Sequence, residues 1–267
     1  MRPYIAILKM KLIAGLQYRA AAWAGVCTQF FWGFMYVMIY MAFYESSTEP
    51  PPMTMPQLAT YIWMQQAFMV IIMLWVQDNE LLQDIASGAV AYELCRPYDT
   101  YTFWFVRLIA LRVSGAAMRC LPILLAAFLL PAPYRFTVPP SVEAAGLFLF
   151  SFSLATVLVV AISMFIYLLT FITLSPLSSR LIVGVASEFL GGTLLPIPLM
   201  PQGLQNILNW LPFRYTTDLP FRIYSGNIAI PDALTGIVVQ TFWIILLILL
   251  GAAAFRKRMN KIVIQGG

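Results

Sequence analysis

The sequence predicts an all-α, polytopic membrane protein. It would have six transmembrane helices, an N-terminal amphipathic interfacial helix and a cytoplasmic helix between the second and third spans. Three observations carry this expectation. Of 267 residues, 61% are hydrophobic and 10% charged, against roughly 25% charged in a soluble domain. A bilayer span takes about 20 predominantly apolar residues, so six spans leave enough chain for connections but not for a second globular unit. Residues 1–267 therefore read as one domain. Finally, charged residues sit mainly at the ends of apolar runs, so the net charge of +5 points to membrane orientation and anionic lipid headgroups. It does not point to nucleic acid, which asks for a basic solvated face.

The elements follow in chain order. Residues 1–19 place Ile5, Leu8, Leu12 and Leu16 at near-helical spacing, with Lys9 and Lys11 off that stripe, the pattern of a helix lying in the headgroup region. No short apolar core precedes a small-residue cleavage site, so the first span, Ala20–Phe43, reads as retained. Glu45–Pro52, with its acids, hydroxyls and three prolines, is a solvated loop. The second span is Leu58–Val76. The polar stretch 77–102 follows, with Asp78, Glu80 and Asp84 clustered on what reads as a solvated face. The third span, Phe103–Leu130, contains Arg107, Arg112 and Arg119, which are costly at membrane depth unless paired or wet. Pro131–Pro140 is the next loop. Ala144–Ser179 is free of charge and too long for one span, so Pro176 and its flanking serines mark a turn into a short fifth span, Arg180–Leu195, carrying Glu188.

In 191–227, Gly191, Gly192, Pro196, Pro198 and Pro201 interrupt the chain before Leu204, Ile207, Leu208 and Leu211 form one helical face. This is read as a broken span with helical segments at the far surface, since irregular backbone is tolerated at membrane depth only inside protein or beside water. The sixth span, Leu234–Phe255, ends in Arg256, Lys257 and Arg258. Six spans put both termini on one side. That side holds Arg2, Lys9, Lys11, Arg19, Arg96, Arg180, Arg256, Lys257, Arg258 and Lys261, while the opposite loops hold Arg135, Arg214 and Arg222. Both termini are therefore expected in the cytoplasm, in a multi-pass protein of the cell membrane.

The composition also limits the chemistry. The chain has no histidine, which removes histidine-based acid–base catalysis, histidine metal ligation and the Ser-His-Asp arrangement. Cys27, Cys95 and Cys120 give neither a disulfide framework nor a metal cluster. The lysines at 9, 11, 257 and 261 follow no phosphate-loop glycines, so ATP is not bound here in the P-loop manner. No catalytic or metal-binding residue is assigned, and the chain is not expected to be an enzyme or to hold a cofactor.

The stretch Ile85-Ala-Ser-Gly-Ala-Val-Ala-Tyr-Glu-Leu-Cys-Arg-Pro97, with Tyr98-Asp-Thr-Tyr101 after it, resembles the cytoplasmic connection between spans two and three of ABC-2 type transporter permeases. More narrowly it resembles the branch that includes viologen-type exporters, in which a six-span permease works with a second, related permease and a separate ATPase. The amphipathic N-terminus and the Gly191–Gly192, Pro196 and Pro201 pattern are similar to that family's layout. The resemblance implies a coupling helix at about Asn79–Ala91 that docks on a P-loop ATPase subunit, with Glu80, Asp84, Ile85, Gly88, Tyr92, Glu93, Arg96 and Pro97 as coupling residues. It also implies ATP and magnesium in that partner, a second permease (a related chain or this one), and export of an amphipathic or cationic small molecule. Export of a lipid-linked glycan is a further activity of such permeases.

Arg112 and Arg119 lie seven residues apart, on nearly one helical face, with small residues from Ser114 to Ala117 between them. They either line a polar translocation path, pair with Glu188, snorkel to an interface or hold the partner permease. A secondary transporter driven by an ion gradient is the alternative. It would be expected to show ionisable residues near the midplane in repeated halves, and Glu188 is the one candidate acid.

Overall fold

The computed structural model describes residues 2–17, 19–46 and 50–259, and at residues 2, 3, 12, 14–17, 19–21 and 94 the backbone alone. Lys261, and the side chains of Arg2, Arg19 and of Leu12 and Leu16 in the N-terminal stripe, lie outside the described residues. Every described element is helical. Four helical stretches are long and apolar enough to cross a bilayer: 22–46, 100–128, 142–173 and 230–259. They are consistent with a polytopic membrane protein.

Helix α1 (Arg2–Gln17) packs on the start of α7 (Thr100–Ala117). It turns Tyr4, Ile7 and Lys11 toward the protein, with the Tyr4 and Phe103 rings 6.3 Å apart. Ile5 of the apolar stripe is 63% exposed, while positions 4, 7 and 11 share the side turned to the protein by i, i+3, i+7 spacing. Helix α2 (Arg19–Ser46) follows, its Trp23, Phe31, Ile39 and Phe43 facing outward.

The second expected span is broken. Helix α3 (Met55–Ala67) starts with Pro56 in its first turn and Gln57 Oε1 accepting the Thr54 N–H at 3.0 Å. It ends at Phe68, whose φ of −107° and ψ of 16° leave the helical region. One turn, α4 (Met69–Ile72), precedes irregular chain to Asp78. Residues 58–67 of α3 are buried on every side, so this is a core helix, with Tyr61 and Trp63 fully enclosed. Helices α5 (Asn79–Ser87) and α6 (Ala91–Leu94) lie between it and α7, which α8 (Cys120–Phe128) continues after an irregularity at Met118–Arg119.

Helix α9 (Val142–Thr173), the most buried of the long helices, begins with Ser141 Oγ accepting the Ala144 N–H. It ends at Leu174 in the left-handed region, φ 51°. The turn anticipated around Pro176 is there, but the next helix begins at that proline rather than at Arg180, because Ser175 caps it and Pro176 occupies the first turn. This α10 (Pro176–Leu190) has 15 residues, about 22 Å, shorter than a hydrocarbon core of about 30 Å. Gly192 then takes φ +77°, where a side chain would also collide with Ile197. A 3-10 turn at Ile197–Leu199, α11 (Gln202–Leu208) and α12 (Arg214–Ser225) follow.

The helical segments within 191–227 differ in burial. Leu208 packs with Ile197 and Met200 in a small cluster while Ile207 is exposed. By contrast, α12 is buried from Tyr215 to Phe221 and packs on α3 and α9. Helix α13 (Ile230–Met259) closes the bundle: Gln240 donates to the Ser151 and Tyr215 carbonyls at 3.0 and 2.8 Å, tying α9, α12 and α13 together.

Candidate functional site

Asp78 is the centre of a charged cluster beside α5. Its side chain is 4% exposed. It accepts from Arg107 Nε at 2.7 Å and Nη2 at 3.0 Å, and from Lys11 Nζ at 3.0 Å. Its Oδ1 also caps α5 by accepting the Leu81 N–H, and its own N–H donates to Tyr167 Oη at 3.0 Å. Arg107 in turn donates to Glu80 at 2.7 Å and Glu93 at 3.4 Å, and Glu93 accepts Trp104 Nε1–H at 2.7 Å. One guanidinium thus joins three carboxylates, and α5 is bound to α1, α7 and α9. Burial alone pushes the Asp78 carboxyl up. The Arg107 hydrogen bond and charge, aided by Lys11, overcome this and hold it below the usual carboxylate range.

The outer face of α5 is free of these ties. Leu81, Leu82 and Ile85 point inward, while Gln83, Ser87 and Gly88 are exposed. Gly88 ends the helix at φ +82°, and a Cβ placed there would meet nothing within 4 Å, so only its backbone conformation asks for glycine. Tyr92 is 81% exposed, and Arg96 and Pro97 are exposed beside it. Among the residues proposed from sequence for this surface, Glu80 and Glu93 turn back to Arg107 and Ile85 is core. Asp84, Gly88, Tyr92, Arg96 and Pro97 form the outward set. The solvated face expected for Asp78, Glu80 and Asp84 is corrected at Asp78, because Arg107 and Lys11 supply the charge that lets a carboxylate be buried. Arg107 was legible as an arginine in need of a partner; that Asp78 answers it was not.

A second feature is a cleft of about 340 Å³ between α2 and α10, floored by α3 and the broken segment after it. Trp32, Tyr36 and Trp75 contribute aromatic surface, Met69 and Met73 thioethers, Gln65 and Gln66 amides, and Glu188 a carboxylate. Trp32 and Tyr36 rings lie 5.9 Å apart. Gln65 donates to the Gly192 carbonyl at 3.0 Å. Gln66, 7% exposed, has no hydrogen-bond partner among the described residues and lines the cleft. No ion pair to Glu188 occurs among the described residues.

Arg112 stands behind this cleft. It is fully buried and donates to the carbonyls of Val70, Ile71, Met73 and Val76 at 2.8–3.2 Å, and to Ser163 Oγ at 3.0 Å. These carbonyls belong to the segment where the second helix breaks, whose backbone has lost its helical partners. Arg112 therefore holds Met69, Met73 and Trp75 in place without entering the cleft. Arg119 lies elsewhere, its guanidinium directly on Gly25 of α2, where a Cβ would come within 2.9 Å of Cζ. Neither arginine pairs with Glu188. Comparisons with protein-family models, with curated proteins and with solved structures found no match.

Sequence reasoning also missed a second charged cluster, on α12. Asp218 is fully buried between Arg214 at 3.3 Å and Arg222 at 3.6 Å, and accepts from Tyr61 Oη at 3.4 Å. The i, i+4 spacing of 214, 218 and 222 was the available signal.

Proposed function

We propose that this chain is the six-span permease subunit of an ATP-binding-cassette exporter in the cell membrane, with both termini cytoplasmic. ATP and magnesium belong to a separate P-loop ATPase subunit, and a second permease, related or identical, completes the path. The observation that carries this reading is α5: a short capped helix with Gln83, Ser87 and Gly88 exposed on its outer face and with its start ion-paired to α1 and α7 and hydrogen-bonded to α9. A chain without a nucleotide site can answer to ATP only through a firm surface that moves with the ATPase. The amphipathic or cationic cargo is supported by the cleft, where aromatic faces and Glu188, without an ion pair among the described residues, suit an organic cation. The same Glu188 favours the second reading, a transporter driven by an ion gradient.

The test is to tag the chain in its host, purify it in mild detergent, and pair identification of co-purifying proteins with an ATPase assay. A stoichiometric P-loop subunit is expected, its association weakened at least tenfold by Tyr92→Asp together with Gln83→Glu on the outer face. A chain that purifies alone, without ATPase activity, would sink the exporter reading and favour the gradient-driven one.

A further inference from the structure

A groove between α9, α10 and α13 has no part in the reading above. Its volume is about 550 Å³, within the range of small-molecule sites, and it is open along one side. Phe165, Leu168 and Ile172 of α9, Val183 of α10 and Ala254 of α13 make it apolar, and Lys257 and Arg258 stand at its end. Between Phe165 and Ile172 the wall runs two turns, roughly 10 Å. The basic pair directly follows the apolar run of α13, at the depth where a lipid headgroup begins.

Arg258 is fixed and incomplete. Its Nη2 donates to the Phe171 carbonyl at 2.6 Å, pinning the guanidinium to the last turn of α9. Its Nε–H is buried and has no acceptor among the described residues. The guanidinium lines the groove, and an anionic oxygen is the group that pairs with it by hydrogen bond and charge together. The lining residues include two cations and no acid.

We propose that this groove holds one anionic phospholipid, its acyl chain along the apolar wall and its phosphate on Lys257 and Arg258. The apolar wall distinguishes this occupant from free phosphate, and the two cations, with no acid partner among the described residues, distinguish it from a zwitterionic lipid. A lipid seated there touches α9, α10 and α13 at once and lends the short α10 a neighbour on its outer side. The inference needs only a membrane protein, and stands or falls apart from the exporter reading.

The experiment is native mass spectrometry of the full chain, with any subunits that co-purify, titrated with phosphatidylglycerol or phosphatidylcholine of identical acyl chains. Phosphatidylglycerol is expected to bind tighter. At about 1 kcal/mol for each basic residue near the surface, Lys257→Gln and Arg258→Gln each weaken it about fivefold, and the double variant roughly thirtyfold. Ala254→Trp, which fills the groove and leaves both charges, also lowers its binding by at least tenfold, with an unchanged melting midpoint as the check on folding. Equal binding of the two lipids by the unaltered chain overturns the proposal whether or not the variants fold. So does full binding by the Ala254→Trp protein. Displacement of the lipid by millimolar inorganic phosphate would reduce the site to an anion site and equally refute the lipid.

Discussion

Replacing Arg107 by Met keeps an unbranched apolar stem and removes the charge that joins Asp78, Glu80 and Glu93. In the folded protein Asp78 is left with Lys11 at 3.0 Å as its one cationic partner, at 4% exposure, while Glu80, 72% exposed, returns to solvent. Breaking a buried ion pair from one side costs about 3–5 kcal/mol, and the loss of Glu80 adds little because exposed pairs contribute about 0–1 kcal/mol. The expected destabilisation is therefore about 3–5 kcal/mol, a fall in melting midpoint on the order of 10 °C. It should be local first: amide hydrogen exchange across 79–87 rises, while α12, held by its own Asp218 cluster, keeps its protection. Asp78→Asn, which retains an oxygen for the Leu81 N–H and leaves Arg107 with two carboxylates, costs less, about 1–3 kcal/mol. Because Asp78 titrates below the unfolded value of 3.8, its contribution is full above that pH and is lost as pH falls through the folded value. Acid exchange measurements should then show α5 loosening below about pH 4 in the unaltered protein and not in Asp78→Asn. Unchanged exchange of 79–87 in Arg107→Met would refute the argument that this guanidinium secures α5.

Arg112→Lys keeps a charge but offers one ammonium in place of a planar fork, so several carbonyls between 70 and 76 lose their donor; a loss of about 3 kcal/mol or more should register as a lower melting midpoint and a shifted Trp75 emission. Gly33→Ala forces a methyl to within 2.6 Å of the buried Trp63 ring and should destabilise by about 1–3 kcal/mol, whereas Gly146→Ala, where a Cβ meets nothing, should be neutral or stabilising in the same thermal assay. Glu188→Gln should weaken binding of a lipophilic organic cation by roughly tenfold, since one charge contact in a partly enclosed site is worth about 1–2 kcal/mol; equilibrium binding of tetraphenylphosphonium checks it, and unaltered affinity would exclude Glu188 from that site.

The helical class and the four long apolar helices were legible because length and hydropathy survive any tertiary arrangement. The break after Ala67 was not: Met69–Ile72 is as apolar as the helix before it, and the groups that accept the break, on Arg112 and Ser163, lie about 40 and 90 residues further on. The shortness of α10 was visible in outline, but its start was misplaced, because the Ser175–Pro176 cap reads as a turn until the hydrogen bond to the Ser178 N–H is known. At the candidate site, the arginines of α7 announced a need without naming the partner. Arg107 found carboxylates and Arg112 found carbonyls, a distinction set by which turn of α7 meets which part of the preceding chain. The cleft was the least legible feature, since Trp32, Gln66 and Glu188 come from three distant segments and none has a local pattern that separates it from ordinary packing.

Arg107 and Arg112 stand five positions apart on α7, about 7.5 Å of helix; Arg112 grips the segment 70–76 and Arg107 its continuation at Asp78. A rod pinned at two points to the same strap cannot slide or turn beneath it without carrying the strap along. The wall of the cleft at Met69 and Met73 and helix α5 are therefore mounted on one shaft. A push on α5 has no slack in which to dissipate before it reaches the residues that face the cleft.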